Sequence, residues 1–124
     1  MTARIVIALA LMALGGCVLG PHADWANRAP VAARAAKNPY EGDAQAEQAG
    51  AKLYAQNCAS CHGKDAQGIG RTPGLRSPVV RNASPGALFW LVTNGVIDKG
   101  MPPWAYLPEQ QRWQLVTWLQ AQSR

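Results

Sequence analysis

Three residues near the middle of the chain have types and a spacing that could bind a cofactor covalently. Cys58 and Cys61 are separated by two residues, and His62 directly follows the second cysteine. A C-x-x-C-H run is typical of a c-type haem attachment site, in which both thiols add to the porphyrin vinyl groups and the histidine ligates the iron. The spacing suits this chemistry because the cysteines must straddle one edge of the macrocycle. The run therefore predicts one covalent haem c held by Cys58, Cys61 and His62.

Two other kinds of site contain a cysteine pair at this spacing. A thioredoxin-like redox pair is expected at the start of a helix within a strand-and-helix pattern, and no strand pattern flanks Cys58. A zinc site takes about four ligands. Outside the run, only Cys17 and His22 could supply further cysteine or histidine ligands. The haem site is therefore favoured over both alternatives.

Helices must position this run, and the sequence pattern predicts an all-α fold. A helix is expected from about Ala44 to Asn57, after the candidate N-cap Asp43. Two more are expected, over Pro85–Thr93 and from Pro108 or Glu109 to Gln122. The polar, glycine-rich stretch Gly63–Gly74 predicts a loop wrapped around a ligand.

The chain resembles the class I monohaem c-type cytochromes in three separated motifs. These are the C-x-x-C-H run, Thr72-Pro73-Gly74-Leu75 and Gly100-Met101-Pro102, and the resemblance spans residues 40–124. It implies the cytochrome c fold, in which the N- and C-terminal helices cross and one or two further helices surround the covalent haem. At the crossing, the resemblance places Gly50 and Tyr54 against Leu115 and Trp118.

The resemblance also implies roles for residues of the second and third motifs. The backbone carbonyl of Pro73 would accept a hydrogen bond from the far ring nitrogen of His62, which would fix the ring. Leu75 would pack on the haem, and Met101 would be the second axial ligand of the iron. Met101 is also the only methionine after residue 12.

Ligation by His62 and Met101 would fill the coordination sphere of the iron and leave one-electron transfer as its chemistry. The resemblance thus implies an electron carrier, not an enzyme, between a periplasmic or membrane dehydrogenase and a respiratory acceptor such as an oxidase or another cytochrome. The stretch Asn38-Pro39-Tyr40 resembles cytochromes that accept electrons from quinoprotein dehydrogenases. The alternatives are a fixed haem subunit of a larger oxidoreductase complex and a ligand-sensing or peroxidase-type haem protein with a displaceable Met101.

The N-terminal residues predict export from the cytoplasm. Residues 1–16 have a positive start and an apolar stretch that is too short to span a bilayer, as in a secretory signal peptide. The stretch Leu14-Gly15-Gly16-Cys17 resembles the bacterial lipobox, which implies a lipid on Cys17 and a protein anchored to a membrane in the bacterial periplasm. Residues 17–39 are predicted to form a flexible tether, and residues 40–124 the cytochrome c domain.

Composition and charge limit the kinds of partner that we expect for this chain. The chain has 124 residues, enough for one small domain, and its net charge is +5. No run of basic residues interleaved with aromatic ones occurs, which argues against a nucleic-acid partner. Basic residues between the first and third motifs are candidates for steering an acidic redox partner: Lys64, Arg71, Arg76, Arg81 and Lys99.

Overall fold

The computed structural model describes residues 24–122 of the chain. Within this range the fold is helical, and its only β pairing is two isolated bridges, Ile69 with Thr72 and Val96 with Met101. The all-α prediction is therefore confirmed. The α-helices are α1 Asp24–Arg28, α2 Val31–Arg34, α3 Ala44–Asn57, α4 Ala59–His62, α5 Pro78–Asn82, α6 Pro85–Asn94 and α7 Glu109–Ala121, with a 3-10 helix over Ile97–Lys99.

The three helices expected from the sequence form close to their expected bounds. The carboxylate of Asp43 begins α3 by accepting hydrogen bonds from the backbone N–H groups of Gln45 and Ala46, at 2.8 and 3.0 Å. The hydroxyl of Ser84 caps α6 in the same way. Local capping chemistry therefore sets where α3 and α6 begin, and this is why their bounds could be predicted.

The crossing of α3 and α7 is the main packing contact of the fold. Gly50 lies directly against the backbone carbonyl of Gln114, and an added Cβ would overlap that carbonyl and approach Cβ of Trp118 to 2.8 Å. One turn later, the rings of Tyr54 and Trp118 stack with centroids 4.2 Å apart. Leu115 is buried in the same cluster as Tyr54. The predicted crossing is thus confirmed, and it explains a glycine inside a helix.

A second apolar cluster joins α5, α6 and α7. Val80, Leu88, Trp113 and Val116 are buried together, and the ring of Phe89 stacks on Trp113 with centroids 4.0 Å apart. Burial of these side chains supplies most of the driving force that holds α6 against α7.

Residues 24–38, called the N-terminal strap below, pack along this second cluster. Trp25 and Ala36 contact the cluster, and Ala29 is 1% exposed. Gly86 of α6 lies so close to the strap that an added Cβ would overlap the carbonyl oxygen of Ala33. At its C-terminal end, the buried side-chain amide of Asn38 donates to the hydroxyl of Thr117 in α7 at 2.9 Å.

The strap corrects part of the predicted flexible tether. The sequence predicted a tether over residues 17–39, whereas its described part, residues 24–39, forms two short helices and a turn that pack on the domain. Helices of five and four residues are too short to show an apolar period. The close contacts with Gly86 are made by the backbone of Ala33 and Ala36, and composition alone does not distinguish such alanines from linker residues.

Other N-terminal predictions lie outside the described residues: the signal peptide over residues 1–16, the lipid site Cys17, and His22. Between residues 24 and 122, none of the helices has the length and apolar character needed to cross a bilayer.

Candidate haem-binding site

The C-x-x-C-H run follows the end of α3 without a loop. Cys58 ends α3, since its backbone N–H donates to the carbonyl of Tyr54 at 2.8 Å, and it also precedes the single turn of α4. Cys58 is half-buried and Cys61 is exposed, and both thiols are free of a disulfide. The helical turn carries both cysteines and His62, so their spacing is fixed by backbone hydrogen bonds.

The environment of Cys58 is unlike that of a redox-active thiol. Burial raises the pKa of the Cys58 thiol to about 11, and the nearby charge of Cys61 adds to the shift. Reactive thiols of thioredoxin-like pairs have a lowered pKa, because the thiolate is the nucleophile. Burial of Cys58 therefore disfavours a nucleophilic role for this thiol.

His62 is held by a backbone acceptor across the following loop. Its Nδ1 lies 2.9 Å from the carbonyl oxygen of Pro73. A carbonyl can only accept, so Nδ1 carries a proton and donates, and in the neutral ring the lone pair is then on Nε2. This is the arrangement in which a histidine can ligate a metal through Nε2 while its other ring nitrogen fixes the orientation of the ring.

A tight turn presents the Pro73 carbonyl to His62. Gly68 adopts a positive φ of 88°, and an added Cβ there would approach the backbone N of Gly74 to 2.7 Å. The backbone N–H of Leu75 then donates to the carbonyl of Ala66 at 2.8 Å and closes the loop. Leu75 is half-buried and contacts both apolar clusters. The loop thus folds on itself and brings its second half back to the histidine.

Tyr54 fixes the backbone on the other side of His62. Its hydroxyl donates to the carbonyl oxygen of Gly63 at 2.6 Å, and the side chain is 2% exposed. Burial raises the pKa of Tyr54 to about 12, and the thiolate charge of Cys58 adds to the shift. The phenol therefore remains a neutral donor across the physiological pH range.

We expect Tyr54→Phe to lower the free energy of unfolding by about 1 to 3 kcal/mol, because the Gly63 carbonyl loses a buried donor. The pKa of Tyr54 is raised in the folded state, so its contribution is complete below the ordinary tyrosine pKa of about 10. It is lost as the pH rises from about 10 through about 12. Urea titrations of the purified protein at pH 7, 10 and 11.5 measure both effects. Equal alkaline loss of stability in the wild type and in Tyr54→Phe would contradict this assignment.

Met101 lies in a short loop between α6 and α7 that is anchored at several points. Its backbone pairs with Val96 in both directions, at 2.9 and 3.1 Å, around the 3-10 helix. Gly95 ends α6 with a φ of 69° and leaves no room for a Cβ against Met101 and Pro102. The backbone N–H of Trp104 donates to the carbonyl of Val92 in α6 at 3.0 Å. The half-buried Met101 is therefore on a closed loop that is fixed to α6.

The cysteine run, the Pro73 loop and the Met101 loop meet at one apolar cluster. Tyr54, Ala66, Val92 and Leu115 are buried in it. Partly buried side chains from α3, α7, the cysteine run, the Pro73 loop and the Met101 loop pack around this centre: Leu53, Trp118, Cys58, Ala59, Leu75, Trp104 and Leu107. These side chains leave apolar surface partly exposed beside two free thiols and a histidine with a free Nε2. A covalent haem fits this set of groups, since it needs two thiols, an imidazole and an apolar cover.

The described residues contain no cluster of three or more His, Cys, Asp and Glu side chains that could hold a zinc ion.

The five basic residues proposed to steer a partner are exposed: Lys64, Arg71, Arg76, Arg81 and Lys99. Arg76 also donates to the side-chain carbonyl of Gln122 at 3.3 Å.

Sequence reasoning missed three residues that organise the site. Trp104, three residues after Met101, packs against the cluster shared with Cys58. Arg112 of α7 donates to the hydroxyl of Thr93 at 2.6 Å and to the carbonyl of Leu107 at 3.0 Å, and so holds the C-terminal end of the Met101 loop. Arg28 of the strap forms an ion pair with Asp98 in the same loop. The aromatic residue after two prolines was a usable signal for Trp104, whereas neither arginine had one.

Comparison with known proteins agrees with this site. The family described as cytochrome c oxidase, cbb3-type, subunit III matches residues 45–119, which is more than half of the chain. No curated protein matches the chain.

Among solved structures, the chain is similar to cytochrome CL from the marine methylotrophic bacterium Methylophaga aminisulfidivorans MPT, with a TM-score of 0.58 and 26% sequence identity. The match covers 67% of this chain and 57% of that protein, so this chain spans a little over half of its length. The matched family region contains the cysteine run, the Pro73 loop and the Met101 loop. The chain belongs to the family of cytochrome c oxidase, cbb3-type, subunit III, and is a c-type cytochrome.

Proposed function

We propose that this cytochrome is a one-electron carrier with one haem c, bound through Cys58 and Cys61 and ligated by His62 and Met101. It would take electrons from a periplasmic or membrane dehydrogenase, of which a quinoprotein is one candidate, and pass them to a respiratory acceptor. The bound group would supply a couple between ferric and ferrous iron. The observation that carries the proposal is the shared apolar cluster, on which the cysteine run, the Pro73 loop and the Met101 loop converge.

The residues around the site suit electron transfer because they limit movement. The Pro73 carbonyl orients His62, and the Tyr54 hydroxyl donates to the carbonyl of Gly63, the residue after His62. Backbone pairing with Val96 restricts Met101. Ligands that stay in place during oxidation and reduction lower the reorganisation that each transfer requires, and a thioether ligand raises the reduction potential.

An absorption spectrum of the purified, oxidised protein tests the proposed ligation. We expect the far-red sulfur-to-iron charge-transfer band, and we expect the reduced protein to bind carbon monoxide poorly. Absence of the band together with ready carbon monoxide binding would favour the ligand-sensing or peroxidase-type alternative.

A second candidate is a fixed haem subunit of an oxidoreductase complex, and the description of the matched family favours it. In both candidates we propose that a lipid at Cys17 anchors the protein to a periplasmic membrane surface; this rests on the sequence alone. Gentle detergent extraction of membranes followed by affinity purification separates the two. A fixed subunit co-purifies in constant ratio with its complex, whereas a carrier is recovered alone. Recovery in the soluble fraction would contradict the anchor.

We propose that exposed basic residues between the first and third motifs steer an acidic redox partner. Long-range attraction raises the association rate and is screened by salt. We expect the bimolecular rate of electron transfer to fall by about tenfold between low ionic strength and 0.5 M salt. Lys64→Gln is expected to weaken this dependence more than the matched variant Lys52→Gln, an exposed lysine on α3 before the cysteine run. A rate that stays constant with ionic strength would rule the steering out.

A further inference from the structure

The N-terminal strap ends against the loop that carries Met101. Arg28, the last residue of α1, forms a two-pronged ion pair with Asp98 in the 3-10 helix. Its Nη1 lies 2.6 Å from Oδ1 and its Nη2 lies 3.0 Å from Oδ2. Asp98 precedes Met101 by three residues, inside the turn that the Val96–Met101 pairing closes.

The geometry of this pair is stronger than that of a typical surface ion pair. Two parallel N–H···O bonds fix the relative orientation of the guanidinium and the carboxylate. The Arg28 side chain is 31% exposed and the Asp98 side chain 61% exposed, so the guanidinium is partly removed from solvent while the carboxylate stays in contact with it. The hydrogen bond from Arg28 holds the pKa of Asp98 below the ordinary value, because it stabilises the charged carboxylate.

Arg28 is also held on a fixed support. Between Arg28 and the C-terminal end of the strap, Ala33 lies against Gly86 of α6 without room for a Cβ. At that end, Asn38 is bonded to Thr117 of α7. The strap is therefore attached to both helices that flank the Met101 loop, and the arginine connects this support to the loop itself.

We propose that Arg28 is a positioning residue for Met101. By fixing Asp98 to the strap, it stabilises the closed form of the Val96–Met101 turn and so opposes loss of the thioether from the iron. This inference rests on the proposed ligation by Met101, and it adds that a residue more than seventy positions before the ligand in the sequence controls the fraction of molecules in which the ligand is bound.

Imidazole titration of the oxidised holoprotein tests the proposal. Imidazole binds only molecules in which Met101 has left the iron, so its apparent affinity follows the displaced fraction. We expect Arg28→Gln to raise the apparent imidazole affinity by about three- to fivefold. A change of this size is at the upper end of the effects that partly exposed ion pairs have on stability. The matched control is Arg34→Gln in α2, which removes the same charge from the same strap; the Arg34 side chain makes no hydrogen bond or ion pair to residues 24–122. We expect no change in the control.

Two further readouts separate positioning from general destabilisation. Hydrogen exchange of the Met101 amide, which donates to Val96, should accelerate by a similar factor in Arg28→Gln, while amides in the centres of α3 and α7 should not change. Exchanging the two side chains in the double variant Arg28→Asp with Asp98→Arg should restore both the imidazole affinity and the exchange rate toward wild-type values.

The outcomes are distinct. An unchanged imidazole affinity in Arg28→Gln, with a normal sulfur-to-iron band in the wild type, would overturn the positioning role and leave the ligation intact. Equal acceleration of exchange throughout α3 and α7 would also overturn it, because the strap would then act only on global stability. A wild type without the band would overturn the ligation, and the inference with it.

Discussion

Met101→Ala is expected to abolish the sulfur-to-iron charge-transfer band and to let the reduced protein bind carbon monoxide readily. Alanine has no ligating atom, so the position on the iron that Met101 would fill becomes open to carbon monoxide. The reduction potential should fall by on the order of 0.1 V, because axial ligands set potentials over a span of about 0.8 V. Spectroscopy, carbon monoxide titration and potentiometry of the purified variant measure the three changes.

Ile97→Ala is the matched control for this experiment, since Ile97 lies in the same loop and is 72% exposed. We expect its spectrum and potential to equal those of the wild type. If Met101→Ala kept the charge-transfer band, another residue would have to be the ligand. If both variants lost it, the integrity of the loop, and not the thioether, would be responsible.

Gly50→Ala is expected to lower the free energy of unfolding by about 2 to 4 kcal/mol, as large overpacking changes do. The same substitution at an exposed site within a helix normally stabilises by about 0.5 to 1 kcal/mol, so the sign of the effect is informative. At Gly50 the added methyl group would overlap the Gln114 carbonyl and force α3 and α7 apart. Urea titration of the purified protein at neutral pH measures the change.

Ala55→Val, at an exposed position of α3, controls for the effect of added carbon on this helix. We expect a loss below about 1 kcal/mol there, from helix propensity alone. A Gly50→Ala variant as stable as the wild type would mean that the two helices can separate freely, and that the close crossing is not what holds them.

Features encoded by neighbouring residues could be predicted from the sequence. Asp43 sets the start of α3, and Ser84 with Pro85 sets the start of α6, so the bounds of these helices follow from local chemistry. The crossing at Gly50 could be predicted because a family resemblance supplied the long-range pairing. Composition alone would not have identified the partner helix.

Features that depend on distant partners could not be predicted. Arg28 meets Asp98 across 70 positions, and Asn38 meets Thr117 across 79, and no pattern near any of these residues indicates the pairing. The strap was mistaken for a tether because its helices are too short to show an apolar period, and because its contacts by Trp25, Arg28 and Asn38 are with residues far away in the sequence. Pro73 and Met101 were assigned to the site through resemblance. The structure contains the hydrogen bond between Pro73 and His62, and the ligand role of Met101 is the proposal that the experiments above test.

The strap has a consequence for how far the molecule can reach from a bilayer. If Cys17 carries the lipid, six residues separate it from the start of α1 at Asp24. Even fully extended, they span no more than about 25 Å, whereas a tether running to residue 39 could span roughly three times as far. The first helix of the strap ends at Arg28, which is paired with Asp98 in the Met101 loop. A lipid on Cys17 would therefore keep the cytochrome near the bilayer, and its redox partners would be proteins that exchange electrons close to the membrane plane.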